Sequence, residues 1–163
     1  MKTHMRRLAA PRTWPIRRKG PRIRFITRPL AGPHTLNESM SISVILTEIL
    51  KVAKTAREAK NILNSGKILV DGVVRKETAY PVGLMDSLSV GNEHYRMLLN
   101  TKGKLHLNKI TKDQAALKPH RIINKTILKG GKIQLNLFDG RNLIVKDDSY
   151  KVGDTLIISN NQI

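Results

Sequence analysis

Residues 54–76 hold the side chains whose types and spacing point most directly to a chemistry. Placed on a helix at about 100° per residue, Arg57, Lys60, Asn61 and Asn64 fall within about 100° of arc. Ala56, Ala59, Ile62 and Leu63 occupy the opposite side. One face is therefore apolar and the other offers cations and amides. Cations hold phosphates, and amides read base edges and ribose hydroxyls. Lys54 precedes this helix, Lys67 follows it, and Arg75 and Lys76 lie beyond a turn at Asp71-Gly72. Together they frame a groove between a helix and a hairpin that suits a polyanion. A solvated helix face would carry similar residues by itself; the basic hairpin beside it favours binding.

Other chemistries find little support. His4, His34, His94, His106 and His120 are far apart, and the chain has no cysteine, so no metal site or disulfide is expected. Gly130-Gly131-Lys132 lacks the spacing and the hydroxyl residue of a phosphate-binding loop and reads as a turn. Asp71, Asp86, Asp139 and Asp154 sit at turn positions, not in the paired arrangement that acid–base catalysis needs. The expectation is no catalysis, no cofactor and no small-molecule substrate. No apolar run approaches the ~20 residues of a membrane span. Membrane surfaces are also anionic, so charge alone does not choose between them and a nucleic acid; the expectation of no membrane partner rests on the helix–hairpin module.

Net charge supports the polyanion. Lysine and arginine number 30 against 12 acids, a formal charge of +18. Such self-repulsion is explained by a partner whose phosphates release counterions on neutralisation. Residues 1–34 carry ten of the basic residues and no acid; residues 35–99 are close to balanced; residues 100–163 hold twelve basic and five acidic residues. The first stretch is broken by Pro11, Pro15, Pro21, Pro29 and Pro33 and has no sustained period. It reads as a basic extended arm over 1–40, of a kind that usually orders on its partner, and the sequence does not show whether this one is ordered before binding. Arg6, Arg7, Arg12, Arg17, Arg18, Lys19, Arg22, Arg24 and Arg28 are its candidate phosphate contacts, arginine being suited to bidentate pairing. Trp14, Ile16, Ile23, Phe25 and Ile26 would dock the arm on protein or on bases.

The elements that must position these residues are legible from their periods. Ile42, Ile45, Leu46, Ile49, Leu50 and Ala53 recur at helical spacing, with a break at Lys54. Thr55-Ala56-Arg57-Glu58 is a capping box opening a second helix, which Gly66 closes. Residues 67–70 and 73–75 flank Asp71-Gly72 as a hairpin, and residues 85–90 form a further strand. Residues 104–110 alternate as a strand, Thr111 opens a short helix, strands follow at 121–128, 133–137 and 143–145, with a second hairpin at Asp139-Gly140, and residues 153–158 form a turn and a strand. The expected class is α+β: an arm, a two-helix-plus-hairpin module over 41–99, and a small, mostly β, barrel-like domain over 100–163.

Residues 42–90 resemble the alpha-L RNA-binding fold of ribosomal protein S4, tyrosyl-tRNA synthetase tails and pseudouridine synthases. The matching features are Thr55, Ala59, Ile62, Leu63, Gly66, Ile68, Val70-Asp71-Gly72-Val73 and Asp86-Ser87-Leu88-Ser89-Val90. One departure is Ala56, where that fold often has arginine; here Arg57 follows instead. His4-Met5-Arg6-Arg7-Leu8-Ala9-Ala10-Pro11-Arg12-Thr13-Trp14 and Arg28-Pro29-Leu30-Ala31-Gly32-Pro33-His34 are similar to the N-terminal signature of the archaeal and eukaryotic small-subunit ribosomal protein S4e family. Ala79-Tyr80-Pro81-Val82-Gly83-Leu84-Met85-Asp86 and Asn100-Thr101-Lys102-Gly103-Lys104 keep the same register.

The resemblance implies a structural role in the cytoplasmic small subunit, with small-subunit ribosomal RNA and neighbouring ribosomal proteins as partners. It also implies a further C-terminal barrel of the KOW type, which is absent from this chain. Two other readings are an accessory domain of an RNA-modification enzyme and a basic DNA-compacting protein. The first requires a catalytic domain that residues 100–163 are too small and too basic to supply. The second does not account for the helix–hairpin module.

Overall fold

The aliphatic residues gather into two separate cores, one in each of two units, Met1–Ala115 and Ala116–Ile163. The structure is a computed structural model that describes residues 3–20, 24–145 and 148–159.

In the first unit, β1 (His4–Arg6) pairs antiparallel with β2 (Phe25–Thr27), setting Met5 opposite Ile26. Ile26 is buried, and Trp14 is only 1% exposed within the same core. Leu105 N donates to Thr13 O at 2.8 Å, and Leu30 N donates to Ala79 O at 2.8 Å. The described part of the N-terminal stretch is thus folded onto the protein. Its few large apolar side chains are the reason. Trp14, Ile16 and Ile26 find a core to enter within the same chain.

Next come β3 (Ser39–Ser41) and α1 (Ile42–Val44), which continues as one π-helical turn over Ile45–Ile49. Leu50 N donates to Ile45 O at 2.9 Å, the wider spacing of that turn. The helical period running to Ala53 is therefore cut short. Lys51 adopts φ 54°, and Val52 N and Ala53 N both turn back to Leu46 O. Ile42, Ile45, Leu46 and Ala53 are nonetheless all buried, so the period marks the correct face although the helix stops early.

The second helix is α2 (Ala56–Asn64), followed by β4 (Ile68–Val70) and β5 (Val73–Val74). Asp71 and Gly72 adopt φ 50° and 76°, the pair of left-handed residues that a tight two-residue hairpin demands. β6 (Pro81–Gly83) returns to pair with β3. β7 (Ser87–Val90), β8 (Glu93–Leu99) and β9 (Leu105–Ile110) complete a five-stranded antiparallel sheet in the order β5-β4-β7-β8-β9. The strand expected from residue 85 begins at Ser87, because Met85 is held in a turn with φ 68°. The boundary expected at 99/100 falls inside the β8–β9 hairpin, where Leu99 pairs with Leu105; the first unit extends to Ala115.

The short helix α3 (Lys112–Ala116) leads into the second unit. There β10 (Leu117–Ile127), β11 (Ile133–Leu137), β12 (Asn142–Val145) and β13 (Thr155–Ser159) pair in the order β12-β11-β10-β13. Ile122, Leu135, Leu137, Leu156 and Ile158 alternate inward and form its core. Among the described residues this sheet is open, half a barrel and not a closed one, with a register shift between Ile122 and Asn124. Gly140 takes φ 81° at the expected second hairpin.

Candidate nucleic-acid interface

The cation–amide face is built by capping and burial acting on α2. Thr55 Oγ1 accepts from Glu58 N at 3.2 Å, and Glu58 Oε2 accepts from Lys54 N at 2.7 Å. Two backbone donors that the helix cannot satisfy are thereby paired, which fixes where the helix starts. At the other end Gly66, at φ 73°, donates its N–H to Leu63 O. Ala59 and Leu63 are fully buried and Ile62 is half-buried, so the helix cannot rotate without exposing them. Ala56, expected on the apolar side, is exposed at the first turn of the helix. Arg57, Lys60, Asn61 and Asn64 are all exposed on the remaining arc. Among the described residues, no hydrogen bond or ion pair engages their side chains.

The hairpin is locked beside this helix. A Cβ placed on Gly66 would lie 3.9 Å from Val74 Cγ1, so the helix end rests against β5. Asp71 Oδ1 accepts from Ser87 N at 2.9 Å and from Ser87 Oγ at 3.3 Å, tying the hairpin tip to β7. Lys67 and Lys76 are exposed at the two ends of the hairpin. Arg75 is half-buried, with its guanidinium 4.4 Å from the centre of the Tyr80 ring. Its Nε is buried and has no hydrogen-bond partner among the described residues. Stacking on Tyr80 leaves the planar cation with little rotational freedom. Lys54, at the head of α2, is also exposed.

The arm residues divide into two groups. Arg6, Arg12, Arg17, Lys19, Arg24 and Arg28 are exposed. Arg7 is not: it is 8% exposed and spends its guanidinium on the protein. Its Nη2 donates to Glu48 Oε1 at 2.5 Å, its Nη1 to Arg17 O at 3.1 Å and its Nε to Phe25 O at 3.3 Å. Arg18 is half-buried and donates to Ala10 O at 2.7 Å and to Pro11 O at 2.5 Å. Arg7 therefore drops out as a phosphate contact and Arg18 is largely committed to its own loop. In each case a folded arm exposes backbone carbonyls that a guanidinium can satisfy. Arg22 lies outside the described residues, as does Ile23. Trp14 is buried and has no face to offer a base.

A second contact explains two stretches singled out in the sequence. His34 Nε2 and Asp86 Oδ1 are 2.9 Å apart, both side chains being buried. Asp86 Oδ2 accepts from Gly83 N at 2.8 Å. The end of one signature thus bonds the end of the other, 52 residues away.

The comparisons with known proteins follow the same partition. Residues 1–37 match the RS4NT domain, residues 42–88 the S4 domain, and residues 91–162 ribosomal family S4e. The chain is 48% identical over 168 residues to small ribosomal subunit protein eS4 of Methanocaldococcus jannaschii, covering 97% of this chain and 67% of that protein. It is 47% identical to the eS4 protein of Methanococcus vannielii, covering 96% of this chain and 66% of that protein. The chain belongs to the small ribosomal subunit protein eS4 family.

It spans about two thirds of the length of the eS4 relatives it matches. A crystal structure of the 30S ribosomal protein S4e from Thermoplasma acidophilum superposes with a TM-score of 0.67 at 38% identity, covering 77% of this chain and 66% of that one. The residues that the sequence did not reveal in this eS4-family chain are those with distant partners. They are Tyr80 under Arg75, Glu48 on Arg7, and the carboxylates of His34 and His120, namely Asp86 and Asp139. The spacing of the histidines suggested no nearby carboxylate, and folding supplied two. Among the described residues no group of three or more histidine, cysteine or acidic side chains is arranged to hold a metal ion.

Proposed function

We propose that this chain is a structural constituent of the cytoplasmic small ribosomal subunit that binds and stabilises folded small-subunit ribosomal RNA, without catalysis. The observation that carries this reading is the exposed face of Arg57, Lys60, Asn61 and Asn64 on α2, with Lys67, Arg75 and Lys76 on the adjoining hairpin. The alpha-L mode of binding is the natural use of such a face: the cations meet phosphates across a junction while the amides meet ribose hydroxyls and base edges. Arg6, Arg12, Arg17, Lys19, Arg24 and Arg28 extend the contact along the N-terminal segment. The names of the relatives, all small ribosomal subunit protein eS4, support ribosomal RNA and neighbouring subunit proteins as partners.

The test is binding to transcribed small-subunit ribosomal RNA and to duplex DNA at ~200 mM salt, where the non-specific electrostatic contribution is weak. The parent chain should retain RNA and lose DNA. The Arg57→Ala/Lys60→Ala variant should bind RNA more weakly with an unchanged fold. Its salt dependence should also flatten by about 1.4–1.8 in the log–log slope, the loss of two phosphate contacts. Equal retention of RNA and DNA by the parent, or an unchanged slope in a folded variant, would reject the proposal.

A further inference from the structure

Phe25 is an exposed aromatic with a setting that its burial pattern does not require. Along β2 it is Ile26 that enters the core, opposite Met5 of β1, and this pairing already accounts for the packing of the ribbon. Phe25 projects to the other face and is 52% exposed. It does not stand alone there. The His4 ring stands perpendicular to it, with the ring centres 5.6 Å apart and the planes at 86°. The Arg24 guanidinium lies 5.7 Å from the ring centre. Arg6 is its cross-strand partner and is exposed, and Arg28 follows one residue beyond the ribbon, also exposed.

From this geometry we infer that Phe25 is a stacking platform for one unpaired RNA base, with Arg6, Arg24 and Arg28 receiving the flanking phosphates. The inference deepens the RNA-binding reading above and rests on it. An aromatic face stacks on any base, so the contact does not depend on sequence, and cations beside it supply what a lone exposed phenylalanine lacks. Two physical points favour RNA over a protein partner. Arg24 over the ring and Arg6 across the ribbon face no acidic side chain within the ribbon, which is the balance a phosphate chain completes. Trp14, the other large aromatic of this segment, is consumed by the core, so Phe25 is the ring that remains available.

The experiment uses the full chain with a single-stranded oligoadenylate and, in parallel, heparin, a polyanion without bases. Phe25→Ala should lower oligoadenylate affinity roughly five- to a hundredfold. Heparin affinity and the salt slope should not change, because the lost contact is not ionic. Phe25→Trp should keep the affinity, and its exposed indole emission should be quenched by oligoadenylate and not by heparin. The buried Trp14 reports whether Phe25→Ala is folded. A folded Phe25→Ala chain that binds oligoadenylate as the parent does, or an equal loss on heparin, would overturn the platform. The two readings fail separately. Loss of ribosomal RNA binding in Arg57→Ala/Lys60→Ala with none in Phe25→Ala removes only the platform. A parent that does not prefer ribosomal RNA removes the reading beneath it.

Discussion

Gly83→Ala should be among the most damaging single-methyl changes in the first unit. A Cβ at Gly83 would lie 2.1 Å from His34 Cγ and 2.3 Å from Cδ2, far inside van der Waals contact. The backbone at Gly83 is not left-handed, so the requirement for glycine is steric and not conformational. The imidazole is buried and must move to admit the methyl group, and in moving it gives up the 2.9 Å contact with Asp86. Overpacking costs about 1–3 kcal/mol, and loss of a hydrogen bond to a buried carboxylate about 1.5–3 kcal/mol. The expected destabilisation is therefore roughly 2.5–6 kcal/mol. Urea titration followed by the fluorescence of Trp14, the single tryptophan and a core residue of the same unit, measures it directly. The mechanism is tested by His34→Ala/Gly83→Ala. Removing the ring makes room for the methyl group, so the double variant should be about 1–3 kcal/mol more stable than the sum of the single effects. A cost below about 1 kcal/mol for Gly83→Ala, or strict additivity, would refute the steric argument.

Three further outcomes are expected. Arg7→Ala should cost about 2–4 kcal/mol of stability, as one partner of a largely buried pair is removed; exposed Arg12→Ala should leave the urea midpoint within about 0.5 kcal/mol and lower RNA affinity instead, and the reverse assignment would contradict the structure. Leu63→Ala, at 0% exposure, should cost about 2–5 kcal/mol and half-buried Ile62→Ala clearly less; equal costs would mean that α2 sits rotated from the position described. In the second unit, burial pushes the Asp139 carboxyl upward, but the His120 hydrogen bond and the charges of Lys118 and His120 outweigh it and hold its pKa well below the ordinary carboxylate value of 3.8. A depressed folded-state pKa stabilises above the unfolded value and is lost as pH falls through the folded one. Proton NMR of β10 and β11 should therefore show that unit losing stability below about pH 4, with a shallower acid dependence in Asp139→Asn; matching acid profiles would count against the role of this carboxylate.

Local rules in the sequence determined much of this protein. The capping box at Thr55 and Glu58, the left-handed Asp71-Gly72 pair and the Gly66 cap are each set by bonds within a few residues, so α2, its polar arc and the hairpin were legible before any tertiary contact was known. The apolar period also marked the buried face from Ile42 to Ala53, although it overran the helix end, because periodicity reports which side is buried and not whether Lys51 turns left-handed. Only the tertiary structure decided which charges are free. Arg6 and Arg7 are neighbours of the same type, yet one faces solvent and the other is bound to Glu48, 41 residues away, and to two carbonyls brought close by the folding of the arm. The same holds for His34 on Asp86 and for Arg75 on Tyr80. A side chain's chemistry is written in its type, whereas its availability depends on which distant groups share its surroundings, and long-range pairing leaves no periodic trace along the chain.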